Sequence, residues 1–342
     1  MILVKIILGD IMHSIDLSEY ELRTDLIIEK NIDNLINNSY QEGDIKVDDI
    51  ILKEDLDNKR KGRYITITYN DITDSYNYKK VLDILIKELK KIFKYLKIND
   101  SNSCLIIGLG NRNIISDALG SKTLSNIIVT RHMYLLNDVD PRYRNVSILE
   151  PSVMGITGID SFEIIKNVVK EVKPDFLICI DSLCAKNIDR LNKTIQITTS
   201  GITPGSGIGN NKEELSFDTL KINVIAIGVP TVVSSTVIVS DTINYLFQKI
   251  SYTKDNINNV KDKLKPINKI NYLNSKELSK EEKKEILGIV GNLGELELKR
   301  LIWEVLEPID KNMIVTTKEI DFIIDKISKL LADSLNKSLH KI

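Results

Sequence analysis

The sequence predicts an α/β protein with a mixed or mostly parallel sheet that is flanked by helices. From about Ser103 to Tyr245, apolar runs rich in β-branched residues alternate with segments of helical periodicity. Several of these runs are apolar at consecutive positions, a pattern typical of strands that are buried on both faces. From Ser251 onward the chain becomes polar and helical, which predicts a helical C-terminal region.

An antiparallel pair of strands opens the predicted fold, at residues 46–56 and 63–71, with the charged turn DNKRKG between them. A long amphipathic helix follows over 76–96. In the core, a helix over 161–173 ends before Pro174, which cannot continue it. The strands predicted for this core are SCLIIGLG (103–110), SNIIVT (125–130), NVSILE (145–150), DFLICID (175–181), TIQIT (194–198) and NVIAIGVP (223–230). The helices predicted downstream cover 280–293, 295–308 and 318–339.

The composition is that of an ordinary globular protein. Lys and Arg number 47 against 48 Asp and Glu, so the chain lacks the basic excess of a nucleic-acid scaffold. Three cysteines, Cys104, Cys179 and Cys184, cannot form a closed set of disulfides, which suits a reducing cytoplasm. The apolar N-terminal stretch is too short for a membrane anchor and lacks a signal-peptide cleavage site. We therefore expect a cytoplasmic protein with no direct nucleic-acid partner and no membrane partner.

Three loops that follow predicted strands carry the candidate site residues. The loop GLGNRNIISDALG contains Gly108, Gly110, Asn111 and Asp117, the loop ICIDSLCAKNIDRLN contains Asp181, and the loop TTSGITPGSGIGNNK contains Gly201, Gly205 and Gly207. Ligands and reacting groups collect at the carboxyl ends of strands in α/β sheets, so we expect these loops to converge on one site. The glycines form only an incomplete phosphate-binding fingerprint, and they serve equally well to let the backbone turn at positive φ.

Other catalytic centres have little support in the sequence. None of His13, His132 and His340 has a second His or Cys at ligand spacing, so no metal site and no cofactor are predicted. Cys184 is expected on a helical stretch, as a small buried hydrophobe and not as a nucleophile paired with His132. A Gly-x-Ser-x-Gly nucleophile elbow is absent from the sequence.

Asp117 and Asp181 remain as a candidate catalytic pair. Each follows an apolar strand within a few residues, so both are expected to be partly desolvated. Two carboxyl groups held close together cannot both ionise easily, and one keeps a proton. The ionised member then draws a proton from water while the protonated member polarises a peptide carbonyl. The alternative from the residues alone is that each aspartate caps a following helix, Asp117 before ALGSKTL and Asp181 before SLCAKNIDRL.

Five blocks of sequence occur together in one order. They are GLGNRNIISDALG, PSVMGITGIDSFEIIK, KPDFLICIDSLCAKNIDRLNKTIQIT, SGITPGSGIGNNK and NVIAIGVPTVV. This set resembles the germination proteases of endospore-forming bacteria, over about Asp16 to Ile250. The resemblance implies an α/β fold related in outline to hydrogenase-maturation peptidases and an aspartic-type endopeptidase with Asp117 and Asp181 as its catalytic pair. It also implies small acid-soluble spore proteins as substrates, a homotetramer, and a location in the spore core.

The resemblance further divides the chain. It implies an N-terminal leader or propeptide over 1–25 and a single peptidase domain over 26–342. Within that domain we expect an α/β core at about 103–250 and a helical part at 251–342. The apolar N-terminal stretch has a second interpretation, in which Met12 is the native start.

The resemblance implies a zymogen that removes its own propeptide. The stretch TDLIIE has an acid, then an apolar residue and a further glutamate downstream, as do the bonds cut in the family's substrates. We therefore predict cleavage between Asp25 and Leu26. Ile27 and Ile28 replace the small residues of those substrates.

Three positions depart from the pattern expected of the family. Thr199 stands where an aspartate is expected, Ser121 where a proline is usual, and Lys186 where an arginine is usual. A carboxylate at 199 therefore cannot be required, which leaves the catalytic role to Asp117 and Asp181. Two alternatives stay open: a non-catalytic relative that only binds spore proteins, and a glycine-loop protein that binds a phosphate or nucleotide.

Overall fold

The computed structural model describes residues 26–29, 36–56, 59–136, 138–204, 213–259 and 271–342 of the chain. The strands are β1 (Ile36–Glu42), β2 (Ile45–Leu52), β3 (Gly62–Thr68), β4 (Cys104–Gly108), β5 (Val146–Leu149), β6 (Phe176–Ala185), β7 (Thr194–Thr198), β8 (Asn223–Ser234) and β9 (Ile314–Val315). The helices are α1 (Ser75–Tyr95), α2 (Leu119–Leu124), α3 (Arg131–Leu135), α4 (Met154–Thr157), α5 (Ser161–Val172), α6 (Phe217–Leu220), α7 (Ser235–Asn256), α8 (Lys280–Leu287), α9 (Glu295–Leu306) and α10 (Ile320–Leu339). Short 3-10 helices cover Ile27–Glu29, Ile115–Asp117, Ile188–Arg190 and Val290–Asn292.

The described chain forms two compact units. The smaller contains residues 186–188 and 234–315 and carries α7, α8 and α9. Inside it, the carboxylate of Asp241 accepts a hydrogen bond from the Ile188 amide at 2.9 Å. The larger unit contains the rest of the described residues and carries α1 to α6 and α10. In the part of the chain that the structure describes, no helix is long and apolar enough to cross a membrane.

The larger unit is built on a mixed sheet with the strand order β1-β2-β3-β7-β8-β6-β4-β5. The pairs from β1 through β7 to β8 are antiparallel, and the pairs among β8, β6, β4 and β5 are parallel. Together with the helices that follow, this sheet confirms the predicted α/β class and the helical C-terminal region.

The parallel part of the sheet is covered by helices on both faces. In β4, Cys104 and Ile106 pack into the core that contains residues of α1 and α10, whereas Leu105 and Ile107 pack against Phe162 of α5. Each of these β4 side chains is buried, as the consecutive apolar pattern predicts. Burying one Leu or Ile side chain stabilises the fold by about 1.5–3 kcal/mol.

Two features of the predicted secondary structure are wrong. The stretch 125–130 is not a strand, because the side chain of Asn336 in α10 takes up its backbone groups: the Ile128 amide donates to Asn336 Oδ1 and Asn336 Nδ2 donates to the Asn126 carbonyl. The segment after Asp181 is not a helix, because β6 continues to Ala185 in pairing with β8. Cys184 consequently lies on a strand.

Strand β1 is an element that the sequence analysis does not predict. Its sequence, INNSYQE, has no apolar alternation. It forms at the edge of the sheet through antiparallel pairing with β2. Tertiary pairing thus overrides a weak local propensity.

Candidate active site

Glycines at the carboxyl end of β4 let the chain pack closely against α2. A Cβ atom at Gly108 would lie 2.7 Å from the carbonyl carbon of Gly120, and one at Gly120 would lie 2.5 Å from the Leu109 carbonyl oxygen. The Leu109 amide donates to the Ile180 carbonyl at 2.9 Å, which holds the end of β4 against β6. Backbone packing therefore accounts for these two glycines without a phosphate ligand.

Gly110 is the residue that makes room for Asp117. Its φ is +96°, and a Cβ there would lie 2.2 Å from the Asp117 carbonyl oxygen and 2.8 Å from Asp117 Oδ1. The amide of Asn111 donates to Asp117 Oδ2 at 2.7 Å. Gly110 and Asn111 thus surround the Asp117 carboxylate on the side of β4.

Asp117 is a half-buried carboxyl group. Burial raises its pKa above the ordinary value, and the hydrogen bond from the Asn111 amide opposes that rise only in part. The predicted helix-cap role is wrong, because Asp117 lies in the 3-10 helix Ile115–Asp117 and α2 begins after Ala118 without a side-chain cap. The carboxylate is held by the loop that precedes it in the sequence.

Asp181 lies inside β6 and not at its end. The residue is half-buried and pairs with Gly228 of β8, and its Oδ1 accepts a hydrogen bond from the Ser182 amide at 2.8 Å. Because the chain continues as a strand, the predicted helix-cap role of Asp181 is also wrong. Burial is the main cause of a raised pKa at the neighbouring Cys179 thiol, and the negative charge of Asp181 raises that pKa further.

The two aspartates lie on either side of a short strip of backbone. Gly108 pairs with Ile180, so Leu109 comes next to Asp181 along the parallel ladder. Gly110, the following residue, contacts Asp117. The structure therefore brings Asp117 and Asp181 to the same end of β4, with Leu109 and Gly110 between them.

A β-bulge in β8 supports the segment that carries Asp117. Leu183 pairs with Pro230 and Cys184 pairs with Val232, so Thr231 is an extra residue in β8. The buried Thr231 hydroxyl donates to the Ser116 carbonyl at 2.6 Å. Thr231 is not predicted as a functional residue, although a hydroxyl residue inside an otherwise apolar strand is a sequence signal that could have indicated this contact.

An ion pair joins the loops that follow β4 and β5. Arg112 Nε donates to Glu150 Oε1 at 2.8 Å, and Arg112 Nη2 donates to Glu150 Oε2. Exposed apolar side chains occur in the segments that follow these two strands, namely Ile114, Ile115, Met154, Ile156 and Ile159. This edge of the sheet thus presents apolar surface close in sequence to Asp117.

The third predicted loop is described only in part. Gly201 has a φ of +97°, and a Cβ there would lie 2.4 Å from the Leu215 carbonyl oxygen. Two backbone hydrogen bonds between Ile202 and Leu215 close the base of this loop. Gly201 therefore packs against Leu215 and not against Asp117. Gly205 and Gly207 lie outside the described residues.

Two of the three departures from the family pattern, Thr199 and Lys186, take part in hydrogen bonds. Thr199 Oγ1 accepts a hydrogen bond from the Arg63 amide at 3.0 Å, and the Thr199 amide donates to the Arg63 carbonyl. Ser121 is buried in α2. In the smaller unit, the Lys186 carbonyl accepts a hydrogen bond from the ammonium group of Lys299.

Comparison with known proteins identifies the family. A family model described as Germination protease matches residues 14–342. The chain belongs to the germination protease family. Curated members of this family from Bacillus licheniformis, Bacillus subtilis and Priestia megaterium are 42%, 41% and 38% identical to the chain. The alignments cover 95–96% of the chain and 95% of each relative, so the resemblance predicted from the five sequence blocks is confirmed. As a member of the germination protease family, the chain is an endopeptidase.

Proposed function

We propose that the chain is an aspartic-type endopeptidase that begins the degradation of small acid-soluble spore proteins during germination. The observation that supports this role is the pair of half-buried carboxyl groups, Asp117 and Asp181, on either side of Leu109 and Gly110. Membership of the germination protease family supports the substrate class.

The raised pKa of Asp117 suits it to carry the proton of the pair. In the proposed reaction, Asp181 takes a proton from water while the water oxygen forms a bond to the scissile carbonyl carbon. Asp117 gives its proton to the carbonyl oxygen. The tetrahedral intermediate then collapses: the carbon–nitrogen bond breaks, the leaving amine takes up the proton held by Asp181, and one hydroxyl of the intermediate returns its proton to Asp117 as the carboxyl group of the product forms.

The exposed apolar side chains near Asp117 suit a substrate with an apolar residue after the cleaved bond. Ile114, Ile115 and Met154, in the segments that follow β4 and β5, are each about half exposed. We further propose a zymogen that cleaves itself between Asp25 and Leu26, a homotetramer, and a location in the spore core, as the family resemblance implies. Asp25 lies outside the described residues, and Leu26 is fully buried.

Cleavage of a purified small acid-soluble spore protein tests the catalytic pair. Asp117→Asn and Asp181→Asn are each expected to lower kcat/KM by about 10²–10⁴, because each removes a proton-transferring group. Asp83→Asn is the matched control, since Asp83 is an exposed aspartate on α1, and it should keep the parental rate. The assay uses the full chain and a chain that begins at Leu26.

The outcomes separate the alternatives. If folded Asp117→Asn and Asp181→Asn chains cut at the parental rate, these aspartates do not carry the reaction. If the parent binds the spore protein without cutting it, a non-catalytic binding role replaces the proposal.

A further inference from the structure

A row of residues crosses one face of the sheet and ends at Asp181. In successive pairs of neighbouring strands, the row runs through Asp48, Thr66, Gln196, Gly228 and Asp181. Directly paired residues of neighbouring strands point to the same face of a sheet, so Gln196 and Asp181 share a face with only a glycine between them. Two strand spacings separate their Cα atoms by about 10 Å.

Gln196 holds a segment of polypeptide backbone on this face. Its side-chain Oε1 accepts a hydrogen bond from the Ile27 amide at 2.7 Å. Gln196 is 5% exposed, and both Leu26 and Ile27 are fully buried. The contact therefore lies away from water, where leaving the Ile27 amide without a partner would cost free energy.

The contacts of Ile27 give the direction of the bound segment. Its side chain packs on Ile50 of β2 and Tyr64 of β3, whereas its amide reaches β7 through Gln196. The chain next enters the sheet as β1, which lies beyond β2 at the far edge. The segment thus runs from β7 toward β2 as residue numbers rise, so a peptide bound in this way enters from the side of β8 and β6, where Asp181 lies.

The surface of the sheet between Gln196 and Asp181 is apolar. A Cβ at Gly228 would lie 2.4 Å from Leu183 Cδ1, so Leu183 covers the place where a side chain would otherwise stand. No polar side chain of the row intervenes between the two residues. Between Gln196 and Asp181 the row therefore offers no polar side chain that would compete for the hydrogen-bonding groups of a peptide backbone.

We infer that Gln196 is a positioning residue for peptide cleavage, whose side-chain oxygen binds the backbone N–H of the second residue after the cleaved bond. This inference rests on the proposed cleavage between Asp25 and Leu26, because Ile27 is then that second residue. In an extended peptide, the carbonyl carbon of the cleaved bond lies about 5 Å from this nitrogen. That is roughly half of the 10 Å span from Gln196 to Asp181.

One consequence is that Gln196 sets the register of cleavage. A hydrogen bond from the peptide backbone to Gln196 fixes which residue of the peptide lies there, whatever side chain that residue carries. A slip of one residue would turn the apolar side chains of an extended peptide to the opposite face. Losing the contact should therefore both slow the cut and spread it over neighbouring bonds.

Self-processing of the full chain tests this role, with intact-mass measurement of the new N-terminus. Gln196→Met removes the acceptor at similar size, and replacing Ile27 by its α-hydroxy acid analogue turns the amide into an ester and removes the donor. The two changes are also combined in one chain. Thr194→Val is the matched control, because Thr194 lies on the same strand and face, is fully buried, and has an Oγ1 without a hydrogen-bond partner among the described residues.

Each single change is expected to slow the cut after Asp25 about fivefold, the effect of one neutral hydrogen bond. The combined chain should be no slower than either single change, because both remove the same contact. New N-termini at neighbouring bonds should appear in all three chains. Thr194→Val should keep the parental rate and the parental bond.

Two results would overturn the inference in distinguishable ways. Parental rate and register in Gln196→Met, or rate losses that multiply in the combined chain, would refute the role of Gln196 and leave the proposed function intact. A parent chain that never cleaves itself would refute the proposed self-processing and this role with it. The ester chain keeps every side chain, so its rate decides the question even if Gln196→Met fails to fold.

Discussion

Replacing Gly110 with alanine tests whether the loop after β4 positions Asp117. The new Cβ would lie 2.2 Å from the Asp117 carbonyl oxygen, whereas real Cβ contacts do not fall below 3.0 Å, so the two segments must separate by about 0.8 Å. The φ of +96° at Gly110 adds backbone strain, because an L side chain rarely adopts it. The same movement would disturb the hydrogen bond from the Asn111 amide to the Asp117 carboxylate.

The two effects have different sizes and different readouts. Backbone strain of this kind costs about 1–3 kcal/mol of the free energy of unfolding. A displacement of a catalytic group by roughly 1 Å lowers the rate about 100-fold. We therefore expect Gly110→Ala to lose about 100-fold in kcat/KM on a spore-protein substrate, with a moderate fall in the midpoint of thermal unfolding.

Gly158→Ala is the matched control for backbone strain. Gly158 has a φ of +72°, and among the described residues nothing lies within 4 Å of its Cβ position. It should lose stability through strain while keeping the parental kcat/KM. If Gly110→Ala and Gly158→Ala retain equal activity at temperatures where both are folded, the reasoning about Asp117 is refuted.

Two further predictions concern Asp117 and its support. Burial raises the pKa of Asp117 in the folded chain above its value in the unfolded chain, so ionisation of Asp117 lowers the free energy of unfolding. This loss of stability is absent below the unfolded-state pKa and complete above the folded-state pKa. Asp117→Asn should therefore raise the thermal midpoint more at pH 7 than at pH 3, and an equal shift at both pH values would contradict the assignment. Thr231→Val should cost about 0.5–1.5 kcal/mol in urea unfolding, because it removes the hydrogen bond to the part-buried Ser116 carbonyl; an unchanged urea midpoint would show that this bond contributes nothing.

Features with a local cause could be predicted from the sequence. The helical periodicity of α1 and the consecutive apolar residues of β4 are each contained in one short stretch of sequence, and both elements occur as expected. Asp117 is likewise held by Gly110 and Asn111, which are six or seven positions away and belong to the same motif.

Features that depend on distant partners could not be predicted. Asp181 stands inside a strand because β8 pairs with β6 beyond that position, and the stretch 125–130 is no strand because Asn336 binds its backbone. Gln196 meets Ile27 across 169 positions of sequence. The sequence carries the polar residue in each case but no sign of its partner.

The sequence by itself determined the α/β class and the protease family, and it supplied the two aspartates of the proposed catalytic pair, because hydrophobic periodicity and collinear motifs are properties of short stretches. Only the tertiary structure decided how the aspartates are held, that neither caps a helix, and that Gln196 shares a face with Asp181. The physical reason is that strand register and hydrogen-bond partners are set by which segments pack together. A row of paired residues therefore exists only once the sheet has formed.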